Sequence, residues 1–272
     1  MRFFILLFAL ISLQSCEKFS YEIVNLNDDE IQVLGHGGVG IHSFMPMNSL
    51  ESITSSIDMG AHGTEIDVQL SKDGYLVAFH DADMSESTTG NGEIRQLKWD
   101  EIKDFRYKDL SVISNYSIQL LSDIINSLER KEDLIFSFDC KLYSSDIDTT
   151  GYFNAFTDSI LSLVQTLEID CYVESQNVEF LQKMQTKNPE SKLLYYPENF
   201  DEGFEVVSTN GFYGLSIDTE KISQYEVEHA HSNGYWITLW NVHTKNRNKE
   251  AILKSPDCIQ ADKLSHLLNL LD

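Results

Sequence analysis

Two acidic residues and a histidine stand close together in the sequence, on either side of a turn-forming segment. Glu65 and Asp67 precede Ser-Lys-Asp-Gly at 71–74, and His80 follows it. Carboxylate oxygens are preferred ligands of Mg²⁺ and Ca²⁺, and histidine exchanges protons near neutral pH. If these side chains meet in the fold, they can bind a divalent cation and move a proton beside it. A solvated hairpin face with the same charges is the alternative interpretation.

The segments around this turn predict a β-hairpin. Polar and apolar residues alternate before the turn, and β-branched and aromatic residues follow it. The turn is too short for the crossover that parallel strands require. We expect Leu70 to pair with Tyr75, which sets the register. In this register His80 lies directly across from Glu65, with Asp67 on the same face.

The rest of the chain alternates short strand-like runs with amphipathic helical runs. This alternation predicts an α/β fold, a (β/α)8 TIM barrel that forms a single domain over residues 31–272. An additional antiparallel hairpin arm at 75–80 and an insertion at 81–116 follow the second strand. The predicted strands are 31–36, 64–70, 134–140, 170–174, 192–196, 213–217, 235–240 and 257–261. The predicted helices include 47–59, 118–130, 153–167, 175–186, 220–232 and 263–271.

Barrel enzymes carry their chemistry where the strands end at the carboxyl face. The first predicted strand ends at His36, the second carries Glu65 and Asp67, and the third ends near Asp139. The alternation of the third strand points Asp139 and Lys141 into the barrel. Three carboxylates at one face form an oxygen-rich cluster that suits Mg²⁺ or Ca²⁺. A structural ion pair between Asp139 and Lys141 is the alternative interpretation.

The N-terminus predicts export. An apolar run over residues 3–13 has the length of a signal-peptide core and is too short to span a bilayer as a helix. The segment Leu13-Gln14-Ser15-Cys16 resembles a bacterial lipobox, in which the cysteine is lipidated. We therefore expect a removed lipoprotein signal peptide at 1–15, a lipidated Cys16 and a tether at 16–30. The predicted product is a membrane-anchored lipoprotein on the periplasmic side or the cell surface. Ordinary signal-peptidase cleavage is the alternative.

The net charge narrows the possible binding partners. The formal net charge is −23 at pH 7, which disfavours nucleic acid and anionic lipid headgroups as partners. The sequence implies no protein partner, and it places the protein at a membrane through the N-terminal lipid alone.

Cys140, Cys171 and Cys258 each lie in an apolar strand-like run, so we expect no disulfide framework.

Several segments, taken together, resemble the glycerophosphodiester phosphodiesterase family, a metal-dependent barrel family. That family has His-Arg-Gly, Pro-Glu-Asn-Thr, Gly-Ala-x-x-x-Glu-x-Asp-Val, Thr-Lys-Asp-Gly and Val-x-x-His-Asp in this order. The corresponding segments here are His36–Gly38, Pro46–Ser49, Gly60–Val68, Ser71–Gly74 and His80–Asp81. Later similarities are Asp139–Lys141, Trp236–Val242 and Ala261–Asp262. The resemblance runs from about residue 31 to residue 268.

The resemblance implies metal-dependent hydrolysis of glycerophosphodiesters to sn-glycerol 3-phosphate and an alcohol. It implies that His36 and His80 are the general acid and base, on opposite sides of the phosphorus. One divalent cation, Ca²⁺ or Mg²⁺, would be held by the three carboxylates and would neutralise charge on the diester. These metal ligands are Glu65, Asp67 and Asp139. The expected substrate-binding residues are Lys141, Gly37, Gly38, Asn48 and Trp240.

Two departures from the family pattern matter most for the predicted site. Gly37 replaces the family's arginine, so one expected phosphate contact is missing, and the backbone amides of residues 37–40 could partly replace it. Asp139 replaces a glutamate, which shortens the third metal ligand by one methylene. Trp236 and Trp240 share one strand face, where they could line a glycerol or headgroup pocket or pack in the core.

Three other functions compete with this one. Residues 35–40 satisfy the Gly-x-Gly-x-x-Gly pattern of dinucleotide binding, but Pro46 falls where the following helix should be under way. A non-catalytic lipoprotein that binds a metal or a phosphodiester is the second alternative. The third keeps the chemistry and changes the substrate to a lysophospholipid or a glycerophosphoinositol.

Overall fold

A computed structural model describes residues 21–41, 43–108, 116–143 and 149–272 of the chain. The predicted signal peptide, the predicted lipidation site Cys16 and the first part of the predicted tether lie outside the described residues. Within the described ranges there are ten strands and nine α-helices. The strands are β1 Gln32–His36, β2 Gly63–Leu70, β3 Leu76–Ala78, β4 Gln119–Leu120, β5 Ile135–Cys140, β6 Asp170–Ser175, β7 Lys192–Tyr195, β8 Gly214–Asp218, β9 Trp236–Val242 and β10 Cys258–Ala261. The helices are α1 Leu50–Asp58, α2 Trp99–Ile102, α3 Leu121–Ser127, α4 Thr149–Leu167, α5 Val178–Lys187, α6 Phe200–Asn210, α7 Gln224–Ser232, α8 Lys245–Leu253 and α9 Leu264–Leu271.

Eight parallel strands form a closed barrel. Going round from β1, the order is β10, β9, β8, β7, β6, β5 and β2, and β1 also pairs with β2, which closes the ring. The prediction of a TIM barrel is confirmed, and all eight predicted barrel strands are present. Closure makes the last strand a neighbour of the first, so residues far apart in sequence share one carboxyl edge.

Local sequence sets where several helices begin. Five helices start after a residue whose side-chain oxygen accepts a backbone N–H of the first turn, which satisfies a donor that the helix leaves without a partner. These capping residues are Ser49, Asn177, Asn199, Ser223 and Thr244. The helices α2, α6 and α8 are not among the helices predicted from the sequence. The α8 sequence, KNRNKEAIL, is mostly polar and buries only Asn248, Ala251 and Ile252, which leaves a weak apolar pattern.

The apolar core has two parts. Outward-facing strand residues such as Phe136 and Phe138 pack against helix residues such as Phe156, as the alternation of this strand predicted. Inside the barrel, at the amino end of the strands, a smaller cluster includes Tyr172 and Trp236. Trp236 is therefore a packing residue. Cys140, Cys171 and Cys258 are all free thiols, in agreement with the prediction of no disulfide among them.

The hairpin arm forms, but its register differs from the prediction. β3 pairs antiparallel with β2, and Leu70 lies opposite Leu76 instead of Tyr75. The Ser71 N–H donates to the carbonyl of Tyr75, so the loop has three residues, and Gly74 closes it with φ of 87°. A one-residue shift moves every side chain to the other face of the pairing. The predicted alignment of His80 with Glu65 is therefore wrong.

The insertion after the arm has an apolar core. Its described residues pack around a small apolar cluster of their own, separate from the main core. The cluster comprises Val77, Phe79, Met84, Ile94, Ile102 and Ile118. Because α2 and two apolar residues of the arm contribute to this cluster, the arm and the insertion form one body beside the barrel mouth.

Part of the predicted tether is bound to the barrel. The Asn25 side chain donates to the carbonyl of Pro256 at 2.8 Å, and the Leu26 N–H donates to Asp257 Oδ1 at 2.7 Å. Asp257 is fully buried and directly precedes β10, so these contacts lie at the amino end of the barrel strands. None of the helices in the described ranges has both the length and the hydropathy that a membrane crossing requires.

Candidate active site at the barrel mouth

Three carboxylates meet at the carboxyl end of the barrel. Glu65 and Asp67 project from β2, and Asp139 projects from the neighbouring β5, where it lies directly opposite Asp67 in the register. One oxygen from each carboxylate lies within 4.8 Å of the others. The structure thus brings together the three residues that the sequence predicted as metal ligands.

The pKa values of the three carboxylates are shifted in different directions. Burial alone would raise the pKa of Asp67, but the charges of Lys141 and His80 and a hydrogen bond from Asn48 outweigh it and lower that pKa. Burial and the charge of Asp67 hold the pKa of Glu65 well above its usual value. Burial also raises the pKa of Asp139, against the opposing charge of Lys141.

These carboxylates suit a hard divalent cation. All three offer oxygen donors, and the negative charge of Asp67 raises the pKa of Glu65. A divalent cation among them would remove that mutual repulsion, and oxygen donors are the ligands that Mg²⁺ and Ca²⁺ prefer. The donor set therefore fits the predicted type of ion.

His36 is fixed at the end of β1. Its Nδ1 lies 2.8 Å from Asp262 Oδ1, just beyond the end of β10, and the His36 side chain is 25% exposed. Burial opposes the imidazolium, but the hydrogen bond to Asp262 and the charge of Glu65 outweigh it and raise the pKa of His36 to about 9. A bound divalent cation would counter this field and lower that pKa.

His80 lies on the arm and is much more open. Its side chain is 54% exposed, and its Nδ1 lies 2.9 Å from Asp81 Oδ1. Ser87 donates to the other oxygen of Asp81 at 2.5 Å, which fixes this carboxylate to the insertion. Although His80 does not face Glu65, its charge lowers the pKa of Asp67. The structure therefore places His80 at the edge of the carboxylate cluster.

Lys141 binds the carboxylates directly. Its Nζ lies 3.0 Å from Asp67 Oδ1 and 2.7 Å from Asp139 Oδ2. Burial would lower the pKa of Lys141, but these two carboxylates raise it well above its usual value. Lys141 is thus a fixed positive charge at the mouth, in position to pair with an anion beside the cluster.

Asn48 holds Asp67 in place. Its side chain donates to Asp67 Oδ2 at 2.8 Å and accepts the Asp67 N–H at 2.9 Å. The buried Asn48 adopts a left-handed backbone with φ of 64°, a conformation that asparagine tolerates better than most residues. In this structure the side chain predicted to bind substrate is engaged with a predicted metal ligand.

The turn at residues 37–40, here called the glycine turn, also faces the cluster. The Gly37 N–H donates to Glu65 Oε2 at 2.9 Å, and the Val39 N–H donates to the Ser52 hydroxyl. Two of the amides proposed for phosphate binding are thus occupied within the protein. Gly38 packs closely on α1, where an added Cβ would lie 2.4 Å from the backbone of Ser52.

Trp240 lies on the opposite side of the mouth from His80. Its ring centroid is 4.8 Å from that of Tyr196. Among the described residues the buried indole N–H has no hydrogen-bond partner. Trp240 thus packs on Tyr196, which lines the cavity beside Lys141, whereas Trp236 packs in the core.

Three acidic residues of this region were not assigned roles from the sequence. Asp262 fixes His36, Asp81 fixes His80, and Glu174 accepts hydrogen bonds from Ser137 and Gln260 below the cluster. Burial, then the charge of Asp139, raises the pKa of Glu174 to about 7. The adjacency of Asp81 to His80 was a usable signal for one of them. Asp262 and Glu174 become neighbours of the site only through the closure and pairing of the barrel strands.

Two cavities flank the cluster. One has a volume of about 370 Å³ and is lined by residues of the glycine turn, the arm and the insertion, including Met45, Met47, Phe79, His80 and Tyr107. The other has a volume of about 390 Å³ and is lined by Asp139, Lys141, Tyr143, Ser175 and Tyr196, among others. The site therefore has room for a group on each side of the carboxylates.

Comparison with known proteins agrees with the motifs. The model of the glycerophosphoryl diester phosphodiesterase family matches residues 40–266. A glycerophosphodiester phosphodiesterase of Caldanaerobacter subterraneus subsp. tengcongensis is 25% identical over 230 residues, which cover 84% of this chain and 93% of the relative.

Solved structures share the fold. A phosphodiesterase of Oleispira antarctica, in complex with the product sn-glycerol-3-phosphate, has a TM-score of 0.76 at 19% identity and covers 89% of this chain and 96% of its own. A glycerophosphodiester phosphodiesterase of Parabacteroides distasonis has a TM-score of 0.74 at 21% identity, with the same coverage of 89% and 96%. Since the family model spans most of the sequence and the barrel agrees with it, the protein belongs to the glycerophosphoryl diester phosphodiesterase family.

Proposed function

We propose that this protein hydrolyses glycerophosphodiesters to sn-glycerol 3-phosphate and an alcohol, with one divalent cation, Ca²⁺ or Mg²⁺. The observation that carries the proposal is the meeting of three carboxylates and a lysine at the barrel mouth, with two histidines nearby. Membership of the family supports the reaction class, and the donor set supports the type of cation.

Each residue has a role that follows from its contacts. Glu65, Asp67 and Asp139 would hold the cation, which when bound supplies positive charge that stabilises the phosphorane-like transition state. Lys141 adds a fixed positive charge for the phosphate. Asn48 keeps Asp67 oriented, as groups beside metal ligands do.

The two histidines would move the protons. Asp262 occupies Nδ1 of His36, and Asp81 occupies Nδ1 of His80, so in each ring Nε2 is left for proton transfer. One imidazole would accept a proton from the attacking hydroxyl, and the other would give one to the departing alkoxide. The attacking oxygen belongs to water or to a substrate hydroxyl in this scheme.

The experiment is a measurement of sn-glycerol 3-phosphate release from glycerophosphocholine and glycerophosphoethanolamine, with Ca²⁺, Mg²⁺ or EDTA. We expect cation-dependent release that falls by about 10² to 10⁴ in His36→Ala. His229→Ala is the matched control, because His229 is exposed on α7 and packs against Phe204. Equal release with EDTA, or full activity in His36→Ala, would contradict the proposal.

We also propose that the protein is exported and anchored to a membrane by a lipid on Cys16, after removal of residues 1–15. The lipobox-like segment Leu13–Cys16 supports this proposal. Mass spectrometry of the mature N-terminus is the test, with Cys16→Ser as the variant that should remain unlipidated. A mature N-terminus other than Cys16 would contradict it.

A further inference from the structure

Resting on the proposed function, we propose that the cavity beside His80 binds the departing alcohol and selects one with a small apolar body, such as a short alkyl chain. This cavity of about 370 Å³ opens beside His80, and Asn48 of the cluster also lines it. An ester group that leaves next to His80 would enter this space.

The cavity is apolar beside the glycine turn, where Met47 packs against Gly37. Gly37 stands where the family has arginine, and Met47 stands where it has the glutamate of Pro-Glu-Asn-Thr. A Cβ at Gly37, where φ is 55°, would lie 2.7 Å from Met47 Cε and 2.8 Å from Met47 Cβ. Met47 therefore fills the space that a side chain at position 37 would need.

The walls continue this apolar surface. Met45 and the buried Pro46 lie beside Met47, and the arm and the insertion contribute Phe79 and Tyr107. Phe79 is 1% exposed, and its ring centroid lies 6.0 Å from that of Tyr107, so the aromatic wall is rigidly packed. Contact between these apolar side chains and a hydrocarbon group is favourable, because it removes apolar surface from water.

The charged groups at the cavity are mostly engaged with the protein. Asp81 accepts from Ser87 and pairs with His80, and the Lys108 ammonium donates to the carbonyl of Ser85. Glu86 is exposed. A polar alcohol buried here would lose hydrogen bonds to water that these engaged groups do not replace.

The second cavity suits the glycerol instead. It offers polar groups from Lys141, Tyr143, Ser175 and Tyr196, beside the unpartnered indole N–H of Trp240 within the described part of the chain. Glycerol hydroxyls require such partners when they leave water. The two cavities thus divide the diester, with its polar end at Lys141 and its apolar end at Met47.

The test uses sn-glycero-3-phospho esters of ethanol, butanol and hexanol with the wild-type protein and Ca²⁺ or Mg²⁺. Full burial of one methylene corresponds to about a fourfold change, so for partial burial we expect kcat/KM to rise about twofold per methylene. In Met45→Ser the hexyl-to-ethyl ratio should fall by about threefold or more. Met59→Ser is the matched control, because Met59 is 49% exposed outside this cavity, and it should keep the wild-type ratio.

A binding measurement separates this inference from the proposed reaction. Calorimetric titration of His36→Ala with the ethyl and hexyl esters, in the presence of the cation, reports on the cavity whether or not turnover occurs. Tighter binding of the hexyl ester supports the inference, even if the wild type hydrolyses none of the esters and the proposed reaction fails. Hydrolysis of all three esters with equal kcat/KM and equal binding overturns the inference and leaves the proposed reaction in place.

Discussion

The two histidines at the barrel mouth are held in different ways. His36 ends a barrel strand, is 25% exposed and pairs with a carboxylate from the opposite end of the sequence. His80 follows a three-residue strand, is 54% exposed and pairs with the residue next to it. The barrel therefore fixes one proton-transfer group by its closure, while the insertion presents the other at the solvent edge.

This difference separates two tasks. The group on the barrel lies with the carboxylates and Lys141, where charge is concentrated and geometry is set by strand pairing. The group on the arm lies beside an apolar cavity whose walls come from the glycine turn and the insertion. We infer that the barrel half determines whether the reaction occurs, and that the arm half determines which alcohol leaves.

The largest expected effect is in the barrel half. Asp67→Asn removes a charge that is 2% exposed and that pairs with Lys141. We expect kcat/KM to fall more than about 100-fold and cation affinity to drop, because loss of a ligand exceeds the roughly 10–100-fold cost of losing a group beside the ligands. Activity and calorimetric cation titration measure both. Asp158→Asn, at an exposed ion pair with Lys187, is the control, and unchanged cation affinity in Asp67→Asn would exclude it as a ligand.

A smaller effect is expected when the support of His36 is removed. Asp262→Asn keeps the shape of the side chain but weakens the fixation of the imidazole, so we expect kcat/KM to fall about 10- to 100-fold with little change in folding. Circular dichroism checks the fold, and rates with glycerophosphocholine measure the loss. Wild-type rates would show that the closure contact does not position His36.

The corresponding change in the arm should matter less. Asp81→Asn weakens the contact that orients His80. Because the His80 side chain is already 54% exposed, less of its orientation depends on this contact. We therefore expect less than about a tenfold loss of kcat/KM. Asp100→Asn, at an exposed pair with Lys103 in the same insertion, is the matched control. A greater loss in Asp81→Asn than in Asp262→Asn would reverse the comparison between the two histidines.

The smallest expected effect is on the pH dependence of stability. Without a divalent cation, the pKa of His36 is raised from 6.5 to about 9. A raised pKa in the folded state stabilises the protein fully below the unfolded value, and the contribution is lost as the pH rises through the folded value. We expect the free energy of unfolding in EDTA to decline over this window, and the decline to be weaker in Asp262→Asn. Urea unfolding at several pH values measures it, and equal slopes would contradict the assignment.

Much of the fold follows from local pattern, and part of the site follows from it too. The barrel strands were predictable because each is a short apolar run. The cluster was predictable because Glu65, Asp67 and Asp139 lie on two consecutive predicted barrel strands, near the expected carboxyl face of the barrel. The hairpin register was not predictable, because the segment Ser71–Gly74 fits both a loop of three residues and a loop of four. The role of Asp262 was not either, since only barrel closure brings it to His36.

The contacts of Asn25 and Leu26 with the amino end of the barrel bear on orientation. Asn25 follows Cys16 by nine positions, and even a fully extended chain of this length reaches only about 30 Å. With a lipid on Cys16, the protein would stand on its membrane with the amino end of the barrel downward and the carboxylate cluster pointing away from the bilayer. With the proposed lipid anchor, this orientation would direct the protein to diesters dissolved in the surrounding compartment instead of the phospholipids beneath it.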